Sequence, residues 1–128
     1  MSRAVLDASA MLALFRGERG ADVVAGYRGD AVASAVNIAE VASRLSDEGL
    51  NPTEWHYALA MLELEVVAFD ESQAFQSGQL RRSTRHRGLS LGDRACLQLA
   101  AIRGLPAVTA DRAWVGLAVG VEVRVIRE

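Results

Sequence analysis

Apolar and polar positions along this chain switch repeatedly between a short continuous run and a helical period, and the switches mark out its elements. Ala4-Val5-Leu6-Asp7-Ala8-Ser9 reads as a short buried strand that stops at a carboxylate, leading at once into the apolar stretch Ala10–Phe15 of a helix. A glycine-rich break follows, then a short helix over Ala21–Tyr27 and a second strand over Asp30–Ser34. From Val36 to Glu48, Val36, Ile38, Ala39, Val41, Ala42 and Leu45 recur at helical spacing, with Gly49 placed to end the helix. Asn51 as N-cap and Pro52 at the first helical position start the next helix, which runs to about Leu62.

Leu64–Phe69 is a third strand, and Asp70 to about Arg87 a long helix with Ala74, Phe75, Gly78 and Leu80 inward. Ser90-Leu91-Gly92-Asp93 opens a helix over Arg94–Arg103 that is apolar nearly all round, which places it against the centre of the sheet; Gly104 ends it. Leu105–Thr109 is the fourth strand, and Pro106 near its start is tolerated there. Asp111–Leu117 makes a short helical turn, and Val119–Ile126 alternates as a half-exposed edge strand does. Strands alternating with helices predict an α/β fold, a three-layer α/β/α sandwich with a five-stranded parallel sheet.

At 128 residues the chain suits one domain spanning 1–128, and a 51% hydrophobic content supplies its core. No stretch approaches the ~18 apolar residues of a membrane span and the start lacks a signal-peptide pattern, so a cytoplasmic protein with no membrane partner is expected. The single cysteine, Cys96, excludes an internal disulfide. All fourteen basic residues are arginine, which excludes every mechanism that needs a lysine.

Four acidic residues stand apart from the solvated pairs. Asp7 ends the first strand, Glu40 lies one turn into an apolar helix, Asp93 starts another, and Asp111 follows the fourth strand. In a parallel sheet these positions share one edge. Each also has an ordinary role: Asp7 and Asp111 as helix caps, Asp93 as partner of Ser90 in a capping box, Glu40 as partner of Arg44. Four carboxylates on one edge repel one another unless a cation neutralises them, and carboxylate oxygens are what Mg²⁺ and Mn²⁺ prefer.

The stretches Val5-Leu6-Asp7-Ala8-Ser9, Asn37-Ile38-Ala39-Glu40-Val41, Leu89-Ser90-Leu91-Gly92-Asp93 and Val108-Thr109-Ala110-Asp111-Arg112 resemble, in order and spacing, the PIN domain and within it the VapC-type toxin ribonucleases of toxin–antitoxin pairs. The resemblance implies a Mg²⁺- or Mn²⁺-dependent endoribonuclease that is a homodimer and is held in check by a VapB-like antitoxin. It makes Asp7, Glu40, Asp93 and Asp111 the catalytic and metal-binding acids, with Ser9, Asn37 and Thr109 in support. Arg112, Ala113 and Trp114 stand where some members carry a further acid, which favours one tightly bound ion over two. A degenerate PIN domain serving as an RNA-binding or scaffold module is the alternative. Setting the four acids aside moves the formal charge from −2 to +2, and Arg81, Arg82, Arg85 and Arg87 form a basic end suited to RNA phosphate. Trp55, Tyr57, Met61 and Leu62 give their helix more apolar surface than it can bury alone, marking a surface for a second subunit or the antitoxin. First-strand aspartates also mark haloacid-dehalogenase-like phosphatases and response-regulator receivers, but both of these use a lysine.

Overall fold

The computed structural model describes residues 2–127. Five strands, β1 (Ala4–Leu6), β2 (Ala31–Ser34), β3 (Glu65–Val67), β4 (Ala107–Thr109) and β5 (Val123–Val125), form one sheet in the order β3-β2-β1-β4-β5 with every pairing parallel. Helices α1 (Ala8–Phe15), α2 (Ala21–Ala25), α3 (Ala35–Asp47), α4 (Pro52–Ala60), α5 (Glu71–Gln79), α6 (Arg81–Thr84) and α7 (Leu91–Arg103) flank it. The expected α/β sandwich with a five-stranded parallel sheet is what the chain forms. Among the described residues no helix is long and apolar enough to cross a membrane.

The two-residue alternation of β1 builds both layers. Ala4 and Leu6 join Ala31, Ala33 and Val108 in a core closed by α1, α2, α3 and α4, while Val5 joins Val32 and Ala107 in a second core closed by α7 and Trp114. Being central, β1 is buried on both faces and apolar throughout. It is also where the chain's path switches: β2 lies on one side of β1 and β4 on the other. The carboxyl ends at such a switch leave a crevice, the usual ligand position of an open α/β sheet.

Several boundaries differ from the sequence reading. β1 stops at Leu6 and α1 begins at Ala8, because Asp7 takes up the extended N-cap conformation (ψ 174°) and its side chain accepts the Ala10 amide. β3 and β5 are three residues each, shorter than the runs over 64–69 and 119–126. Both are edge strands, paired along one side only. The single helix expected over 70–87 is α5, α6 and a 3₁₀ turn at Arg85–Arg87.

The inward face of α5 is also rotated from expectation. Phe75 is 69% exposed and Ala74 and Gly78 face solvent, whereas Gln73 and Ser77 are buried; of the four residues expected inward, Leu80 alone packs against the core. Gln73 causes this. Its Nε2 donates to Ala68 O (3.0 Å) and its Oε1 accepts from Gln98 Nε2 of α7 (2.9 Å), so a polar seam, not an apolar stripe, fixes how α5 lies on α7.

Candidate metal centre

Asp7 is placed by the end of β1 and is only 3% exposed. Its Oδ1 accepts from Ala10 N (2.8 Å) and Ser9 Oγ (2.8 Å), and its Oδ2 from Thr109 Oγ1 (2.5 Å). Ser9 Oγ also reaches across the sheet edge to accept from Ala110 N (2.9 Å), and Thr109 Oγ1, besides its bond to Asp7, accepts from Asp111 N two residues on (3.0 Å). The ends of β1 and β4 are thereby stitched together, and Asp7 and Asp111 are carried on the same stitch. Burial pushes the Asp7 carboxyl up from 3.8 to about 7 against the pull of these hydrogen bonds, and the charge of Asp93 adds to the rise.

Glu40 comes from the other side of the crevice. Ser34 ends β2 and caps α3 directly through the Val36 amide (3.2 Å), so α3 starts without an intervening loop and Glu40 arrives within its second turn. Asn37, 1% exposed, donates from Nδ2 to Glu40 Oε1 (2.8 Å) and to Gly92 O of α7 (3.0 Å). A Cβ on Gly92 would stand 2.2 Å from Glu40 Oε1, so only glycine lets the carboxylate lie against the start of α7. Burial raises the Glu40 pKa, the Asn37 bond opposes it, and Asp93 raises it further while the Arg44 charge lowers it.

Asp93 forms a capping box with Ser90: its Oδ2 accepts from Ser90 N (2.9 Å) while Asp93 N donates to Ser90 Oγ (3.2 Å). Its pKa is raised by burial first and by the charge of Asp111 as well. Asp111 is exposed and caps a 3₁₀ turn at Arg112–Trp114, its Oδ1 accepting from Ala113 N (2.9 Å). The capping roles considered for Asp7, Asp93 and Asp111 are therefore all real. They place the acids: Asp7 and Asp111 cap the turns that follow β1 and β4, Asp93 sits at the third position of α7, and all three line the crevice.

All four acids line one cleft of ≈ 290 Å³, together with Ser9, Arg16, Glu18, Arg44, Ser90 and Arg127. Among the described residues no three Asp, Glu, His or Cys side chains gather tightly enough to enclose an ion. The acids share a cleft and not a point. Water or substrate oxygens would complete the shell of a bound cation, as Mg²⁺ usually requires. The donor set fits such an ion: it is all oxygen, its members raise one another's pKa, and Asn37 Oδ1 is buried beside it with no partner.

Of the basic end, Arg81, Arg82 and Arg85 are exposed and none of the four arginines lines the acid cleft. Arg87 is engaged elsewhere, donating from Nη1 to Ala113 O (2.8 Å) and Val115 O (2.7 Å). The cleft's own arginines are Arg44, expected beside Glu40, and Arg16 and Arg127, which the sequence did not single out. Arg16 pairs with Glu48 and Arg127 with Glu18, so their positions depend on long-range partners. A glycine directly before a helix-start aspartate was the available signal for Gly92.

A separate apolar groove of ≈ 770 Å³ runs between α1, α2, the end of α3 and α4, lined by Leu14, Phe15, Leu45, Tyr57, Met61 and Leu62 among others. Tyr57 and Met61 are exposed, as the excess apolar surface of that helix implied, but Leu62 is buried in the core and Trp55 packs against it, its Nε1 donating to Leu50 O, so these two do not add to the free surface.

An acid-lined cleft at the switch point of a parallel sheet defines a class of α/β proteins that gather carboxylates at a strand edge. The profile of the PIN domain matches residues 4–119, and the chain belongs to the PIN-domain family. Among solved structures it is similar to DNA-bound VapBC from Salmonella typhimurium, at 19% identity and a TM-score of 0.71 over 98% of this chain and 99% of that one. It is also similar to a toxin-antitoxin complex from Klebsiella pneumoniae (20%, TM-score 0.68, 93% and 98% covered) and to VapBC-5 from Mycobacterium tuberculosis (24%, TM-score 0.57, 100% of both). No curated protein sequence matches the chain.

Proposed function

We propose that this chain is a divalent-metal-dependent endoribonuclease, the toxin of a toxin–antitoxin pair of the VapC type. The observation that carries the reading is the single cleft that Asp7, Glu40, Asp93 and Asp111 all line, three of them with raised pKa. A fold does not keep partly buried, mutually repelling acids for stability. Their arrangement is explained by a cation, and membership of a family of generally nucleolytic domains gives that cation a task.

When bound, Mg²⁺ or Mn²⁺ would acidify a water and offset charge on the scissile phosphate. The chain's own residues do the rest. Asp7, Glu40, Asp93 and Asp111 offer the oxygens that hold the ion, and a carboxylate of the set takes the proton of the attacking water. Ser9 and Thr109 hold Asp7 in place through their hydroxyls, and Asn37 holds Glu40. Arg81, Arg82 and Arg85 face solvent, where they would meet RNA phosphates away from the acids.

The structural relatives named as toxin–antitoxin complexes support a VapB-like antitoxin partner, and the exposed Tyr57, Met61 and Phe75 provide apolar surface for it and for a second copy in a homodimer. The protein acts in the cytoplasm on this reading. The test incubates purified protein with structured RNAs in Mg²⁺ or Mn²⁺ and then in EDTA. Cleavage by wild type, lost in EDTA and in Asp7→Asn, is expected; identical RNA products from wild type and Asp7→Asn would reject the assignment.

A further inference from the structure

We propose that Arg87 is a positioning residue for Asp111 and not a phosphate contact; the proposal rests on Asp111 belonging to the metal-holding set. Asp111 sits outside any long element. It is exposed, and the element that follows it directly is the three-residue 3₁₀ turn Arg112–Trp114. Two things hold that turn in place. From below, Trp114 is wholly buried in the core against α7 and β5. From above, the Arg87 guanidinium donates from Nη1 to the carbonyls of Ala113 (2.8 Å) and Val115 (2.7 Å). Those carbonyls end a short 3₁₀ turn, which leaves its last acceptors without partners of its own. Charge-assisted bonds to them are worth more than neutral ones.

The clamp starts from a fixed base. Arg87 ends its own 3₁₀ turn, Gly88 follows with φ 66°, Leu89 is buried, and Ser90 begins the capping box that includes Asp93. One side chain thus ties the segment leading into Asp93 to the turn carrying Asp111. The Ala113 amide, which donates to Asp111 Oδ1 at 2.9 Å, belongs to the same residue as the first tethered carbonyl and lies one peptide before it. Releasing Arg87 frees the residue whose amide orients Asp111.

The test compares wild type, Arg87→Ala and Arg87→Lys. In metal-free, RNA-free protein, Arg87→Ala should speed amide exchange at Ala113, Val115 and Leu117 by about tenfold or more, while the amides of α7 are unchanged. A titration with Mn²⁺ alone should show about tenfold weaker binding in Arg87→Ala, with no further loss when the change is added to Asp111→Asn. Arg87→Lys, which keeps the charge but not the planar fork, should fall between the two. If exchange at Ala113–Leu117 is unaltered, the clamp does not exist. If Mn²⁺ binding is kept while RNA affinity in EDTA drops and the salt slope falls by about one, Arg87 is a phosphate contact and the proposal fails. A wild-type chain that takes up no Mn²⁺ overturns the nuclease reading instead, and the exchange comparison still decides whether the clamp exists.

Discussion

Asp7 and Asp111 sit at the carboxyl ends of adjacent strands, both cap the turn that follows, and their surroundings are opposite. Asp7 is sealed by Ser9, Thr109 and the Ala10 amide, and burial holds its pKa near 7. Asp111 lies in solvent, its side chain bonded to the Ala113 amide and its turn held by Trp114 and Arg87. The same capping geometry therefore yields one acid that is expensive to ionise and one that is not enclosed at all. On the proposed reading, a cation in the cleft would meet an inner wall fixed by side-chain hydroxyls and an outer wall held through the Ala113 amide. The contrast predicts that changes at the inner wall act on stability as well as on cleavage, and that changes at the outer wall act on cleavage alone.

The largest effect is expected from Asp7→Asn. Cleavage should fall by at least ~10²-fold, as for loss of a positioned acid–base group. Stability should move the other way. The folded pKa of about 7 lies above the ordinary 3.8, so the fold prefers the protonated acid. The stability this group contributes is complete below 3.8 and is lost as pH rises through 7, an upper limit of roughly 4 kcal/mol. Asparagine remains uncharged and still accepts the Ala10 amide as an N-cap. Denaturant unfolding in EDTA should therefore find the variant more stable than wild type by up to roughly 4 kcal/mol at pH 8 and by less than half of that at pH 5, the two converging only as pH falls toward 3.8. A wild-type chain no less stable relative to Asp7→Asn at pH 8 than at pH 5 would show that Asp7 is not buried as a charge, and Mg²⁺ should recover the wild type's deficit by binding the folded state.

Gly92→Ala tests the wall between. The added methyl meets the Glu40 carboxylate at contact distances no atom pair tolerates, so Glu40 must swing away and the Asn37 bridge with it. A cost of about 1–3 kcal/mol and a 10- to 100-fold weakening of Mn²⁺ binding are expected. Unchanged Mn²⁺ affinity in a titration would remove Glu40 from the ion's surroundings.

Thr109→Val removes the hydroxyl that gives Asp7 its strongest stabilising bond and keeps the shape. The Asp7 pKa should climb further, because the lost bond was holding it down. The acid limb of the pH–rate profile should shift upward by about one pH unit, with stability lowered by ~1–2 kcal/mol. A profile that stays in place would mean that Asp7 does not control the limb.

What could be read from the chain alone was what is encoded locally. The caps at Asp7, Asn51, Ser90 and Asp111, the glycine stop at Gly104 and the alternation of strand and helix periods each depend on a few neighbouring residues, and each lies where expected within a few positions. The convergence of the four acids followed from parallel topology. The failures are long-range. Phe75 looked like a core residue on its helix, but the Gln73–Gln98 pair, 25 residues apart, turned it outward. Arg87 looked like part of a basic tract until it met carbonyls 26 and 28 residues on. Arg16 and Arg127 reach the cleft through Glu48 and Glu18, partners no periodicity would single out. Local chemistry sets where a carboxylate starts, and tertiary partners decide which arginine stands near it.

Asp111→Asn is the smallest expected perturbation and the sharpest test of the contrast. Asparagine caps as well as aspartate and can accept the Ala113 amide through its carbonyl oxygen, so the turn keeps its geometry. The side chain is exposed, so no buried charge is removed, and the unfolding free energy should change by less than ~0.5 kcal/mol. Cleavage and Mn²⁺ affinity should nevertheless fall, because an amide oxygen carries no charge to hold a hard cation. A stability change near that of Asp7→Asn would place Asp111 in the same sealed environment and erase the distinction between the walls. A variant equal to wild type in both stability and Mn²⁺ binding would leave Asp111 as a cap and nothing more, and the ion would then belong to Asp7, Glu40 and Asp93.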